Sequence, residues 1–209
     1  MKNFIRRPFK YCFFNASLIL VILNVIVYLI TRVRPGFISY FGMCPYNVIV
    51  FHAYWQFITY MFIHGNFLHI FFNMLCLFMF GASLEKAIGS KEFLMIYFIC
   101  GIFSAFFSFL VYCVTGGMTV CLIGASGAIY ALMFIFAVVY PRAVISFWGI
   151  IPMRAPIAVL VFTIIEVISQ FVDQSNVAHL AHLFGFLAAW LYLLIRMGVN
   201  PIKVWKNTL

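Results

Sequence analysis

No charged residue interrupts the twenty positions from Cys12 to Thr31. A helix of that length rises about 30 Å, the thickness of the hydrocarbon core of a bilayer. Comparable uncharged runs follow at 66–84, 93–114, 125–140 and 178–195. Another run beginning at Pro156 is broken by a single acid, Glu166. With 67% apolar and 8% charged residues and a mean hydropathy of +1.14, the chain cannot bury its apolar surface in a water-soluble core, so its solvent is lipid. The pattern predicts an all-α, polytopic membrane protein with six transmembrane helices, near 12–31, 66–84, 93–114, 125–140, 156–172 and 178–196, forming one domain over residues 1–209.

Basic residues orient this bundle. With the N-terminus in the cytoplasm, Lys2, Arg6, Arg7, Lys10, Lys86, Lys91, Arg142, Arg154, Arg196, Lys203 and Lys206 fall on that side, and Arg32 and Arg34 face out. The net charge of +9 is therefore read as topology and contact with anionic lipid, with no nucleic-acid partner. The first apolar run is longer than a signal core and lacks a small-residue cleavage site, so it is expected to remain as the first helix.

Two segments lie outside the expected helices. Residues 32–65 form a long outer loop whose Phe37, Tyr40, Phe41, Phe51, Tyr54, Trp55 and Phe57 suit the membrane interface better than open water. Pro141 to Pro156 is expected to turn back along the cytoplasmic surface. The six cysteines (Cys12, Cys44, Cys76, Cys100, Cys113, Cys121) include no C-x-x-C pair and are read as small apolar packing residues, silent about redox compartment.

Polar side chains are costly in lipid, so the few inside the apolar runs carry the information. They are His69, Asn73, Ser126, Glu166, His179 and His182. Helical rise places Ser126 about 22 Å and His182 about 21 Å above the cytoplasmic ends of their helices, with His69 and Asn73 near 24 and 18 Å. A common level about 8 Å below the outer surface implies a pocket opening outward. His69 and Asn73 share a helical face, as do Ser126 and Tyr130. Small residues, Gly127/Ala131 on the fourth helix and Gly185/Ala189 on the sixth, permit close backbone approach between the two.

These residues also carry a resemblance. Gly124-Ala-Ser126-Gly127, His69-Ile-Phe-Phe-Asn73 and Ala181-His182-Leu-Phe-Gly185 are similar to the G-x-S-G, H-x-x-x-N and A-H-x-x-G motifs of the rhomboid intramembrane serine proteases. Glu85-Lys-Ala-Ile-Gly89-Ser90 and the long first loop extend the similarity over nearly the whole chain, with no extra soluble domain expected. Two positions depart from the family pattern. Its Trp-Arg appears as Trp55-Gln56, and the second glycine of the sixth helix's G-x-x-x-G is Ala189.

The resemblance implies a serine endopeptidase that cuts other membrane proteins in or near their transmembrane segments. Serine needs a base to take its proton and donors to stabilise the oxyanion, so Ser126 is expected as nucleophile and His182 as general base. His69, Asn73 and the backbone near Gly124 and Ser126 are expected on the oxyanion side. Tyr130 resembles the family's tyrosine that packs on the imidazole. No cofactor and no metal are required. No acid is placed for a triad, so a dyad is expected, with Glu166 a structural hydrogen-bonding residue. His64 is read as a loop hydrogen-bonding residue, and His179 is set aside as base because Gly185 follows His182 at the family's spacing. Two rivals remain: an inactive relative that binds membrane segments without cutting, and a metal site or transporter built on His64, His69, His179 and His182. A bacterial inner membrane suits the compact form, and the oligomeric state is unread.

Overall fold

The computed structural model describes residues 6, 9–34, 36–147, 151–172 and 177–208. Lys2 and Arg7, used above to orient the bundle, lie outside them. Helix α1 spans Ala16–Val33. The first loop carries three short helices, α2 (Gly36–Phe41), α3 (Pro45–Val50) and α4 (Gln56–Thr59), the last running into a 3-10 turn over Tyr60–Phe62. Helix α5 (Phe67–Cys76) continues through a π-helical turn at Leu77–Gly81 into α6 (Ala82–Ile88), making one rod. Then come α7 (Ser90–Thr115) and α8 (Ser126–Val139), a hairpin of β1 (Val144–Phe147) and β2 (Ile151–Arg154), α9 (Ala155–Val172), α10 (Val177–Tyr192) and α11 (Pro201–Lys206). A π-helical turn at Leu193–Met197 extends α10.

Among the described residues, four helical stretches, Ala16–Val33, Phe67–Ile88, Ser90–Thr115 and His179–Met197, are long and apolar enough to cross a membrane. Their outward faces expose Leu18, Ile22, Leu29, Phe71, Phe78 and Ile99, an arrangement that water would penalise and lipid does not. Helix α8 is different. Its 14 residues reach only about 21 Å. Gly127, Ala128, Ile129, Ala131, Leu132, Met133, Ile135, Ala137 and Val138 are all buried, so α8 is the central post against which α7 and α10 pack. A helix sheathed by its neighbours does not have to match the lipid thickness itself.

The first helix begins at Ala16, later than the expected residue 12, because a buried acid ends it. Glu85 accepts the backbone N–H groups of Ala16 (2.6 Å) and Ser17 (2.9 Å) and the hydroxyls of Ser17 and Ser90. Asn15 stands in the left-handed region and gives no side-chain cap, so this carboxylate of α6 supplies the capping acceptors. Cys12 and Phe14 are held non-helical by Ser90, whose N–H donates to the Cys12 carbonyl and whose hydroxyl accepts from Phe14 N–H. Residues 141–156, expected only as a turn-back, contain the β1–β2 hairpin, paired antiparallel from Val144↔Arg154 to Phe147↔Ile151.

The cysteine reading needs correction. Cys44 and Cys121 form a disulfide, linking the first loop to the segment that leads into α8. Beside it Met43 and Leu122 exchange both backbone hydrogen bonds at 2.9 Å. Residues 77 apart carry no spacing signal for such a pair. Only the placement of both on the expected outer side hinted that they could meet.

Candidate active site

The approach to Ser126 is built by Gly124. Its φ of +106° is a conformation that L side chains avoid, and a Cβ there would stand 2.6 Å from Nε2 of His69. Glycine is needed for both reasons. The Gly124 N–H donates to the Tyr60 carbonyl at 2.9 Å, and Tyr60 in turn donates its hydroxyl to the Gly101 carbonyl of α7 at 2.8 Å. The backbone then enters α8 at Ser126, after Ala125, which has no side-chain cap to offer. The first N–H groups of α8 have no intrahelical partner, so the Ser126 backbone stands where an anion is best stabilised.

Helices α8 and α10 touch backbone to backbone. A Cβ at Gly185 would lie 2.1 Å from the Gly127 carbonyl oxygen, and one at Gly127 would lie 2.4 Å from Oγ of Ser104 on α7. The Ser104 hydroxyl donates to the Ala181 carbonyl at 2.6 Å, next to His182. Three helices therefore meet through glycine and one buried serine. Ser104 escaped the sequence reading because a serine in an apolar helix ordinarily bonds back within its own helix.

One turn after Ser126, the Tyr130 ring lies on the His182 imidazole, centroids 4.1 Å apart and planes within 6°. His69 begins from α5, whose Asn66 caps the helix by accepting the His69 N–H at 2.8 Å. A long bond from Gly65 N–H to Nδ1 (3.5 Å) leaves the His69 proton on Nε2, the nitrogen beside Gly124. The Asn73 amide donates to the His69 carbonyl at 2.8 Å, which engages one of its two N–H groups. Buried His64 stacks edge-on against His69, centroids 5.0 Å apart. Desolvation, with the His69 imidazole a smaller contributor, pushes its pKa down to about 4. Its ring nitrogens lack a well-aligned partner among the described residues, and a backbone hydrogen bond with Phe62, the smallest of the influences, acts against the desolvation.

The largest departure concerns Glu166. The sequence placed no acid at His182, yet this buried carboxylate of α9 lies against it. Its Oε1 is 3.0 Å from Nδ1 of His182 and also accepts the Tyr130 hydroxyl, and its Oε2 is 2.6 Å from Nδ1 of His179. The His182 contact lies off the ideal N–H direction, at ion-pair distance without hydrogen-bond alignment. Sequence spacing could not reveal this, because which way Glu166 points depends on the rotation of α9 about its axis. Glu166, His179 and His182 each bring a donor atom within 4.8 Å of the others, so they are also the described residues best placed to hold a divalent ion.

The Rhomboid domain family matches residues 52–198, from the first loop through the π turn of α10. The chain belongs to the rhomboid family. The chain is 32% identical over 149 residues to YdcA of Bacillus subtilis (strain 168), named a putative rhomboid protease, covering 70% of this chain and 69% of that one. Against the rhomboid protease AarA of Providencia stuartii it is 35% identical over 99 residues, covering 44% and 35% of the two chains. Against the rhomboid protease GlpG of Yersinia pestis (strain Pestoides F) it is 26% identical over 148 residues, covering 68% and 48%. The chain thus spans about two thirds of YdcA and less than half of AarA and GlpG.

Proposed function

We propose that this rhomboid-type serine protease hydrolyses peptide bonds in or near the transmembrane segments of other membrane proteins, with Ser126 as nucleophile and His182 as general base. The observation that carries the reading is the coplanar stacking of His182 on Tyr130, one turn from Ser126, where α8 and α10 meet at Gly127 and Gly185. In the proposed reaction His182 Nε2 takes the Ser126 proton as Oγ attacks the scissile carbonyl. The tetrahedral oxyanion is held by the Ser126 N–H, His69 Nε2 and the free amide hydrogen of Asn73. Loss of one such donor typically costs about 3 kcal/mol. His182 then protonates the leaving amine, and a water, deprotonated by the same imidazole, releases the acyl group. Membrane helices already satisfy their own carbonyls, so a substrate must unwind before it can be cut, which favours Gly or Pro near the bond.

The disulfide supports the proposed orientation. A Cys44–Cys121 bridge persists in an oxidising compartment, so the face that carries it and the approach to Ser126 is assigned to the outer side, with the N-terminus cytoplasmic. A bacterial inner membrane fits this assignment and the bacterial relatives.

The test is cleavage of a reconstituted transmembrane reporter by wild type, Ser126→Ala and His182→Ala, with fluorophosphonate labelling alongside. Label on Ser126, lost in Ser126→Ala, with both variants inactive, is the expected result. Full activity in both variants ends the assignment, and wild-type activity abolished by a chelator points to the metal reading.

A further inference from the structure

We propose that Glu166 is a positioning residue for the base, converting the expected dyad into a Ser126–His182–Glu166 relay in which His179 and Tyr130 fix the carboxylate. This rests on the assignment of Ser126 and His182 above.

Three observations carry it. The carboxylate is buried in an apolar helix bundle, where an unpaired charge is expensive, and its close partners among the described residues, Tyr130, His179 and His182, all border the site. Its two oxygens divide the work. Oε2 is held by His179 Nδ1, one turn outward of the base on the same helix, while Oε1 is shared by the Tyr130 hydroxyl and His182 Nδ1. Finally, Tyr130 touches both partners, stacking its ring on His182 while its hydroxyl anchors the acid, so imidazole and carboxylate cannot shift independently.

The chemistry follows from the nitrogen involved. An acceptor at Nδ1 keeps the proton there and leaves the Nε2 lone pair free for the Ser126 hydroxyl. When Nε2 accepts the serine proton, the imidazolium positive charge forms beside the fixed carboxylate and is stabilised by it. No proton moves to Glu166. The off-axis contact requires only a small ring rotation to align, the kind of tightening that accompanies substrate binding.

Other titratable groups near the imidazole among the described residues are Tyr130 on α8, His69 on α5 and His179 on α10 itself, with Cys76 of α5 beside Tyr130. Glu166 is the carboxylate of the group, so its removal should dominate the pH response.

The experiment compares wild type with Glu166→Gln and Glu166→Asp in proteoliposomes, reading kcat and KM on the transmembrane reporter from pH 5 to 9, with a thermal melt of each. Glu166→Gln keeps the shape and removes the charge. Its kcat is expected to fall about 100-fold or more with KM within twofold, and the acidic limb of its pH profile to move down by about one pH unit or more. Glu166→Asp keeps the charge but retracts it, so an intermediate loss of about tenfold with an unmoved limb is expected. A Glu166→Gln enzyme with wild-type kcat and an unmoved limb overturns the proposal. Should Glu166→Gln not fold, wild-type kcat in Glu166→Asp overturns it instead. If Ser126→Ala and His182→Ala are inactive while Glu166→Gln is normal, only this inference falls; if those two variants remain active, the underlying site assignment falls with it.

Discussion

Gly185→Ala isolates the contact that brings α10 to α8. The added Cβ would stand 2.1 Å from the Gly127 carbonyl oxygen and 3.1 Å from its carbonyl carbon. Carbon–oxygen contacts settle near 3.3 Å, so about 1.2 Å must be found. The obstacle is backbone and cannot rotate away. Nor can α8 retreat freely toward α7, because Ser104 Oγ fills the space where a Gly127 Cβ would be, 2.4 Å from it. The separation therefore opens between the helices carrying Ser126 and His182. A misplacement of about 1 Å in a reacting pair costs roughly 100-fold in rate, and overpacking of this kind costs about 1–3 kcal/mol of stability. The assay is reporter cleavage with a parallel melt, using Gly36→Ala as control, since a Cβ there meets nothing within 4 Å. Expected is a loss of about 100-fold in kcat/KM for Gly185→Ala and none for the control. Wild-type kcat/KM in Gly185→Ala would refute the claim that this backbone contact sets the Ser126–His182 geometry.

Two further outcomes can be measured. Cys121→Ser removes a cross-link between residues 77 apart, worth up to about 4.5 kcal/mol by the chain-entropy relation and less where the helices persist in lipid; the melting temperature should fall, and unreduced wild type should resist alkylation at Cys44 and Cys121, with ready alkylation of both refuting the bridge. His64 should make the fold acid-sensitive: its imidazole titrates about 2.5 units below the ordinary 6.5, so the unfolded chain takes the proton first, and stability present above pH 6.5 is lost as pH falls toward 4, by about 3 kcal/mol in all. His64→Phe should flatten that slope in melts taken between pH 7 and 4, and an unchanged slope would show that burial of His64 is not its source.

The lipid environment and the helical elements were legible in the chain itself, because both follow from local quantities, the length of an uncharged run and the rise of a helix. So were the small residues needed for close helix contact, since glycines at fixed offsets share a helical face whatever the surrounding fold. Family membership agrees with that reading across residues 52–198. The late start of α1 was not legible, because its capping acid, Glu85, comes from another helix. The same holds for the Cys44–Cys121 bridge, the link from Ser104 to Ala181, and the carboxylate of Glu166 at His182. Each depends on how one helix or loop is rotated and set against another. Sequence periodicity gives the face of a helix relative to itself, while packing alone decides which neighbour that face meets.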